Sequence, residues 1–424
     1  MNRLVLKNCT IVNHDRIMKD KTIVIENGII KSINDSKKEE GIDLKGKYVL
    51  PSFVDLHSHL REPGEEFKED IFSGCHAALS GGYTSIGIMP NTKPPLDNPQ
   101  SITYIKKREQ EFGKIEILPF GALTKNLESV EITEMYDMLK AGARGFSDDG
   151  VGTTNSRVFL NALRYASRFN TFITTHCEEK NLSEGGQINE SDVSIKSGLN
   201  GIPYIEEDII VYRNLRIATY LKTNLHIAHI STKDTLSLIK NFKKKFKGIT
   251  CEVTPHHLIF DETVHYDYNT NFKVKPSLKS KRDVESLING INDGTIDAIV
   301  TDHAPHQTYE KEVEFIEAPF GIIGFETAFS SLFTYLVLKN KVDLKTIVKL
   351  LSYNPAKMLN LSEKYIETGY EANLTIFDPE KEIIVNRDFI KSKSTNTPFY
   401  NKKLRGSVEM TIFKGNIVFR RNDG

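Results

Sequence analysis

Residues 49–64 read VLPSFVDLHSHLREPG. A short apolar run ends in a polar stretch that carries two histidines and then turns at Pro63-Gly64. Working outward, the pattern of strand-length apolar runs recurs. They lie at 84–89 (TSIGIM), 115–121 (IEILPFG), 143–147 (ARGFS), 171–175 (TFITT), 225–230 (LHIAHI), 249–254 (ITCEVT) and 297–301 (DAIVT). The first of the eight strands is expected at 49–56. Helical periodicity occupies 98–112, 155–169, 203–221, 232–247, 280–291 and 325–339, with Asn155 and Thr232 placed as N-caps. Eight strand–helix units in this order predict an α/β fold of (β/α)8 TIM-barrel type rather than a doubly wound sheet.

The two chain ends read differently. Residues 4–12 (LVLKNCTIV) and 22–33 (TIVIENGIIKSI) alternate apolar and polar, as do 373–385 (NLTIFDPEKEIIV) and 408–419 (VEMTIFKGNIVF). Such alternation predicts antiparallel β-structure. The expected organisation is a discontinuous small β domain, 1–48 and 366–424, with the barrel over 49–365 inserted into it.

Lys+Arg and Asp+Glu are both 56, so the chain has no net charge. That argues against a nucleic-acid binder relying on bulk positive charge and against an acidic tail. The basic run Lys243-Lys244-Lys245 with Lys247 reads as a solvated helix face. No apolar run reaches the roughly 18–20 residues of a membrane span. The N-terminus enters strand-like sequence directly, without a signal-peptide pattern. Cys9, Cys75, Cys177 and Cys251 are scattered with no CxxC pair, which reads as reduced thiols in a cytoplasmic protein.

Catalytic residues of a barrel sit where its strands end. Here those ends hold His57, His59, His176, His229, His256, His257, His303 and His306, out of 12 histidines in the chain. Residues i and i+2 on a strand share a face, so His57 and His59 can reach one point. Alone that is a weak signal. Joined by His176, His229 and the carboxylate of Asp302, it becomes a metal site of imidazole and carboxylate suited to Zn2+ or another borderline divalent ion. Such an ion lowers the pKa of bound water and polarises a carbonyl, which suits hydrolysis of an amide-like bond.

The motifs HSHLREPG (57–64), MPNT (89–92), GFSDDGVG (145–152), THCE (175–178), HISTK (229–233), EVTPHHL (252–258), DHAPH (302–306) and APFGIIGFETAF (318–329) run along nearly the whole chain. In this order they resemble the amidohydrolase superfamily, specifically the bacterial class I dihydroorotases. The resemblance implies a barrel flanked by a β-sandwich from both termini. It also implies one or two zinc ions per subunit and reversible conversion of N-carbamoyl-L-aspartate to L-dihydroorotate in pyrimidine (UMP) biosynthesis. It implies His57, His59, Asp149, His176, His229 and Asp302 as metal ligands, Asp302 being also the proton shuttle. His59, Arg61, Asn91, His306, Phe320 and Gly321 are implied as substrate-binding residues, and a homodimer is usual in the family. Adjacent strand residues face opposite ways, so one of Asp148 and Asp149 is expected to face the site. No nucleic-acid or membrane partner is expected.

His256, His257, His303, Glu178 and Glu179 read as groups that shape the site, and Gly81-Gly82 as a helix-ending turn. His14, His76, His226 and His265 are assigned no function. Two alternatives stand beside the resemblance. Other cyclic amidohydrolases (hydantoinase, dihydropyrimidinase or allantoinase-like) usually carry a lysine where this chain has Asp148-Asp149. A non-catalytic homologue generally loses ligands that are all present here. One departure is clear. Relatives read K-x-N-P-P-L-R where this chain reads Lys273-Val274-Lys275-Pro276-Ser277-Leu278-Lys279. Lys275 stands in place of an asparagine that hydrogen-bonds the substrate ring, and is expected either to meet the substrate or to swing to solvent.

Overall fold

The computed structural model describes residues 3–35, 39–169 and 171–421. The chain begins with β1 (Arg3–Val12), β2 (Ile17–Glu26), β3 (Ile29–Asn34), β4 (Ile42–Asp43) and β5 (Tyr48–Pro51). It continues through β6 (Phe53–Ser58), β7 (Tyr83–Ile88), β8 (Glu116–Ala122), β9 (Gly145–Ser147) and β10 (Phe172–Thr175). After a short pair, β11 (Ile188–Asn189) and β12 (Gly201–Ile202), come β13 (Leu225–Ile227), β14 (Ile249–Val253) and β15 (Ala298–Ile299). The last strands are β16 (Leu374–Ile384), β17 (Lys403–Phe413) and β18 (Asn416–Arg420).

β6–β10 and β13–β15 form one parallel sheet in chain order. β6 and β7 are buried at every position, which is why they read as apolar runs rather than alternating ones. The sheet closes where Ser58 bridges His303, His59 N–H donates to the His303 carbonyl at 2.8 Å, and Asp302 N–H to the His57 carbonyl at 3.0 Å. Closure therefore brings the ends of β6 and β15 together at the barrel mouth. Helices 156–166 and 233–245 are capped as expected: the Asn155 side chain accepts from Arg157 and Val158 N–H, and Thr232 from Thr235 N–H. Gly81 ends the helix Ile71–Ser80.

The chain ends build an eight-stranded sheet in the order β18-β17-β16-β5-β1-β2-β3, with β4 beside β1. Ile30 of β3 and Met410 and Ile412 of β17 join one hydrophobic cluster, so this sheet curls over its own core. The β2–β3 hairpin turns at Asn27 and Gly28, whose φ values of 50° and 84° suit an Asn-Gly turn.

Three expectations need correction. The run 49–56 is not one strand. Tyr48–Pro51 pairs with β1 and β16 in the terminal sheet, and Phe53–Ser58 belongs to the barrel. Ser52 makes the switch, its N–H bonded to the Asn373 carbonyl while that of Phe53 bonds Gly82. The helix expected over 325–339 is Ala328–Leu332 running into a π-helical turn, Phe333–Val337. The basic run is not wholly solvated: Lys243 ion-pairs with Asp297. Among the described residues no helix is long and apolar enough to cross a membrane. All four cysteines are free and buried.

Candidate active site

The six expected metal ligands lie together at the barrel mouth. His57 Nε2 is 3.2 Å from Asp149 Oδ1 and 3.7 Å from Asp302 Oδ1. His59 Nε2 is 3.0 Å from Asp302 Oδ1 and 3.6 Å from Asp149 Oδ2. His229 Nε2 lies 3.7 Å from Asp149 Oδ1. His176 Nδ1 lies 3.0 Å from His229 Nε2 and 3.9 Å from Asp149 Oδ1. Two overlapping groups, His57–Asp149–His229 and His57–His59–Asp302, have ligand atoms within 4.8 Å of one another.

This donor set fits a divalent cation. His57 Nε2 and Asp149 Oδ1 are buried and have no hydrogen-bond partner, a costly arrangement for two polar atoms that face each other. Burial opposes ionisation of Asp149, but the His57 and His229 imidazoles outweigh it and hold the carboxyl well below its usual range. Burial likewise opposes a charge on His57, yet Asp149 and Glu252 drive its pKa well above the ordinary value. Two carboxylates thus draw positive charge into a buried space, and a metal ion supplies it without protons.

Asp148 and Asp149 face opposite ways. Asp148 accepts from Thr124 N–H at 2.9 Å and from the Thr124 and Thr153 hydroxyls at 2.8 Å each, which ties down the loop after β9. Asp149 is the one turned to the histidines.

The far nitrogens of three imidazoles are also held. His57 Nδ1 meets Glu252 Oε1 at 2.8 Å, His59 Nδ1 meets Asn91 Oδ1 at 2.8 Å, and His176 Nε2 meets Glu178 Oε2 at 3.0 Å. Such partners fix ring orientation and tautomer. Glu178 therefore acts on the site through His176. Glu252 is a group that the sequence reading missed, as is His226, whose Nε2 bonds the other Glu252 oxygen at 2.9 Å. The one signal for both was a polar side chain inside an otherwise apolar run.

Beside the centre stand the expected substrate residues. Arg61 Nε donates to the Pro305 carbonyl at 3.2 Å, and its Nη2 lies 3.4 Å from His306 Nε2. His306 Nε2 also reaches the Phe320 carbonyl at 2.9 Å. Gly321, at φ 124°, approaches so closely that a Cβ there would lie 3.2 Å from His306 Nε2. Asn91 has its oxygen committed to His59, which leaves its amide N–H groups for a ligand. Asn396, from the C-terminal segment, was not foreseen. Its oxygen accepts from His306 N–H, and its amide donates to the Ala304 and Gly321 carbonyls. No local sequence pattern marks that role.

Arg61, His229 and Asp302 have φ of 60°, 28° and 47°, a left-handed backbone that side chains other than glycine adopt at a cost. Backbone strain of this kind tends to collect at functional sites, and these three residues stand around the barrel mouth.

Lys275 meets neither expectation alone. Its Nζ lies 2.5 Å from Glu178 Oε1 and 5.2 Å from the centre of the Phe320 ring. The ammonium thus joins the carboxylate that orients His176 to the aromatic ring at the substrate side. Three further strand-end histidines make contacts away from the ligand cluster. His257 bridges the Thr254 hydroxyl and the Pro276 carbonyl, and His303 stacks on Phe325 with ring centres 4.2 Å apart. Burial lowers the pKa of His256 to about 4, so it is neutral.

Comparison with known proteins adds a family. Residues 46–235 match the model described as Dihydro-orotase-like. A protein of Caldicellulosiruptor saccharolyticus named dihydroorotase is 45% identical over 99% of this chain and 99% of its own. One of Thermoanaerobacter sp. with the same name is 44% identical over 99% and 98%. Among solved structures, the L-hydantoinase (dihydropyrimidinase) of Arthrobacter aurescens superposes with a TM-score of 0.88 over 100% of this chain and 97% of its own, at 22% identity. That last likeness concerns the fold.

Proposed function

The chain belongs to the dihydroorotase family, and from that premise we propose that it is a zinc-dependent dihydroorotase, interconverting N-carbamoyl-L-aspartate and L-dihydroorotate in pyrimidine synthesis. The observation that carries the reading is the buried, unpartnered pair His57 Nε2 and Asp149 Oδ1 at the centre of four imidazoles and two carboxylates. His57, His59, Asp149, His176, His229 and Asp302 would hold the metal, and the mixture of imidazole and carboxylate without thiolate suits zinc. When bound, such an ion lowers the pKa of water and polarises a carbonyl. Free, buried cysteines suit the reducing cytoplasm as the place of action.

The chain's own groups supply the rest. Asp302 takes the proton that the attacking water gives up and hands it to the ring nitrogen as the carbon–nitrogen bond breaks. In ring closure the same proton travels back. Arg61 offers a planar donor fork for the substrate carboxylate, with Asn91 and His306 beside it. Asp149 where other cyclic amidohydrolases carry a lysine favours dihydroorotase over a hydantoinase.

The test is metal content and turnover in one purified sample, with two substrates. Wild type is expected to contain zinc and to process dihydroorotate at least about 100-fold better in kcat/KM than dihydrouracil, which lacks the carboxylate and so forfeits a charge-assisted pair. Arg61→Lys, a point charge in place of the fork, should raise KM about tenfold or more. Equal turnover of the two rings would move the reading to a hydantoinase-like enzyme.

A second expectation concerns Lys275. The open-chain substrate carries one more carboxylate than the ring, and an ammonium offers three donors and no acceptor. Lys275→Asn should raise KM for carbamoyl aspartate relative to that for dihydroorotate by about tenfold, the worth of one hydrogen bond to a charged group. The reaction's equilibrium constant is untouched, so kcat/KM shifts equally in both directions. An unchanged ratio of the two KM values would leave Lys275 as a partner of Glu178 only.

A further inference from the structure

A cavity of about 830 Å³ lies where the barrel strands begin, its wall including Phe172, Leu225, His226, Thr250, Asp297 and Asn354. The metal site occupies the opposite, carboxyl ends of the same strands. A line of hydrogen bonds connects the two. The Thr250 hydroxyl meets His226 Nδ1 at 2.8 Å, His226 Nε2 meets Glu252 Oε2 at 2.9 Å, and Glu252 Oε1 meets His57 Nδ1 at 2.8 Å. His226, Glu252 and His57 are each 1% exposed, so water does not compete for the two bonds that Glu252 makes.

The chemistry of the groups assigns every proton along the line. Each oxygen of the Glu252 carboxylate lies within hydrogen-bond distance of one imidazole nitrogen, His57 Nδ1 or His226 Nε2. An ionised carboxylate only accepts, so both nitrogens that face it must carry hydrogen. His57 then donates from Nδ1, which would leave the lone pair of Nε2 for a metal ion held between Asp149 and Asp302. His226 donates from Nε2, and its own Nδ1 accepts from the Thr250 hydroxyl. Each carboxylate oxygen holds one imidazole, so loss of either imidazole frees Glu252 to rotate away from the other.

We propose that His226 is a positioning residue for the metal centre: by occupying the second oxygen of Glu252 it keeps that carboxylate aimed at His57 and so holds His57 in its metal-binding tautomer. The proposal rests on the metal-site reading given above. His226 touches neither substrate nor metal; its effect passes through Glu252. A purely structural buried pair would influence the stability of the metal-free protein and leave metal affinity of the folded chain alone.

The experiment is a competitive zinc titration against a chromogenic chelator on the full-length wild type, His226→Leu and His226→Gln, with thermal melting of each metal-free form. His226→Leu should bind zinc about 10–100-fold more weakly, the usual cost of losing an outer partner of a metal ligand. KM for dihydroorotate at saturating zinc should stay within about twofold of wild type, because KM follows substrate contacts that His226 does not make. His226→Gln retains an N–H donor and should recover most of the affinity. A folded His226→Leu with wild-type zinc affinity overturns the proposal. If that variant does not fold, the histidine tautomers of the zinc-loaded wild type decide. By 15N spectroscopy His226 should carry its proton on Nε2 and His57 on Nδ1, and any other pairing overturns the proposal. A wild type that binds no zinc and leaves dihydroorotate unchanged would instead overturn the functional reading itself, so the two failures are distinguishable.

Discussion

Asp302→Asn is expected to fold, to keep most of its metal and to lose about 10²–10⁴-fold in kcat, the share that a positioned acid–base group supplies. The residue sits at φ 47°, where most side chains are strained, and asparagine is among the few that tolerate it. Its backbone N–H, bonded to the His57 carbonyl at 3.0 Å, helps close the barrel and is unchanged by the substitution. The amide also keeps an oxygen for His59 Nε2, which Asp302 Oδ1 meets at 3.0 Å. What disappears is the ability to accept a proton and return it. Burial would favour the protonated acid, but His59, with His57 and His229, holds the Asp302 carboxyl below its ordinary range, so at neutral pH it stands ready as a base. The loss should appear in kcat and kcat/KM together, in both directions, with little change in KM. Near-normal turnover by a metal-loaded Asp302→Asn would place the proton shuttle on another group.

The barrel was legible because each strand is buried on both faces and therefore stands out as an apolar block, and because its polar residues collect where it ends. Caps such as Asn155 and Thr232 marked helix starts for a local reason, a side chain reaching back to N–H groups two or three residues on. The switch at Ser52 was hidden because β5 and β6 are both buried and only one residue separates them. A continuous apolar run cannot reveal that its two halves bond to different sheets.

The candidate site divides the same way. His57 and His59 were legible by spacing, and His176, His229 and Asp302 by their position at strand ends. The supporting groups were not. Glu252 meets His57 from 195 residues away, and Asn396 bonds the His306 N–H from 90 residues away. Contacts at that separation leave no periodicity. A charged residue within the buried run 249–254 is unusual enough to ask what pays for its desolvation, and the answer is two imidazoles. Lys275 shows the reverse case. A departure from the family pattern was visible in the sequence, while its partner, Glu178, became visible only once the strand ends were assembled.

His57→Ala and His59→Ala should each abolish bound metal and turnover together, because a methyl group offers no ligand in place of a neutral imidazole. The two variants differ in what they leave behind. His57 is 1% exposed, and its removal strips the Glu252 carboxylate of one of two partners; breaking a buried charged pair costs about 3–5 kcal/mol, so that variant should also melt at a lower temperature. His59 has the neutral Asn91 on its far nitrogen, and Asp302, whose carboxylate it meets at 3.0 Å, keeps His57 at 3.7 Å, so the metal-free form of this variant should melt between metal-free His57→Ala and metal-free wild type. Comparing the pair separates loss of a ligand from loss of the fold. Folded His59→Ala without zinc and without activity is the expected result, and added zinc at concentrations that saturate wild type should not restore it. Full activity in that variant, or in wild type exhaustively stripped by a chelator, would show that these histidines serve something other than a metal, and the whole reading of the barrel mouth would fall with them.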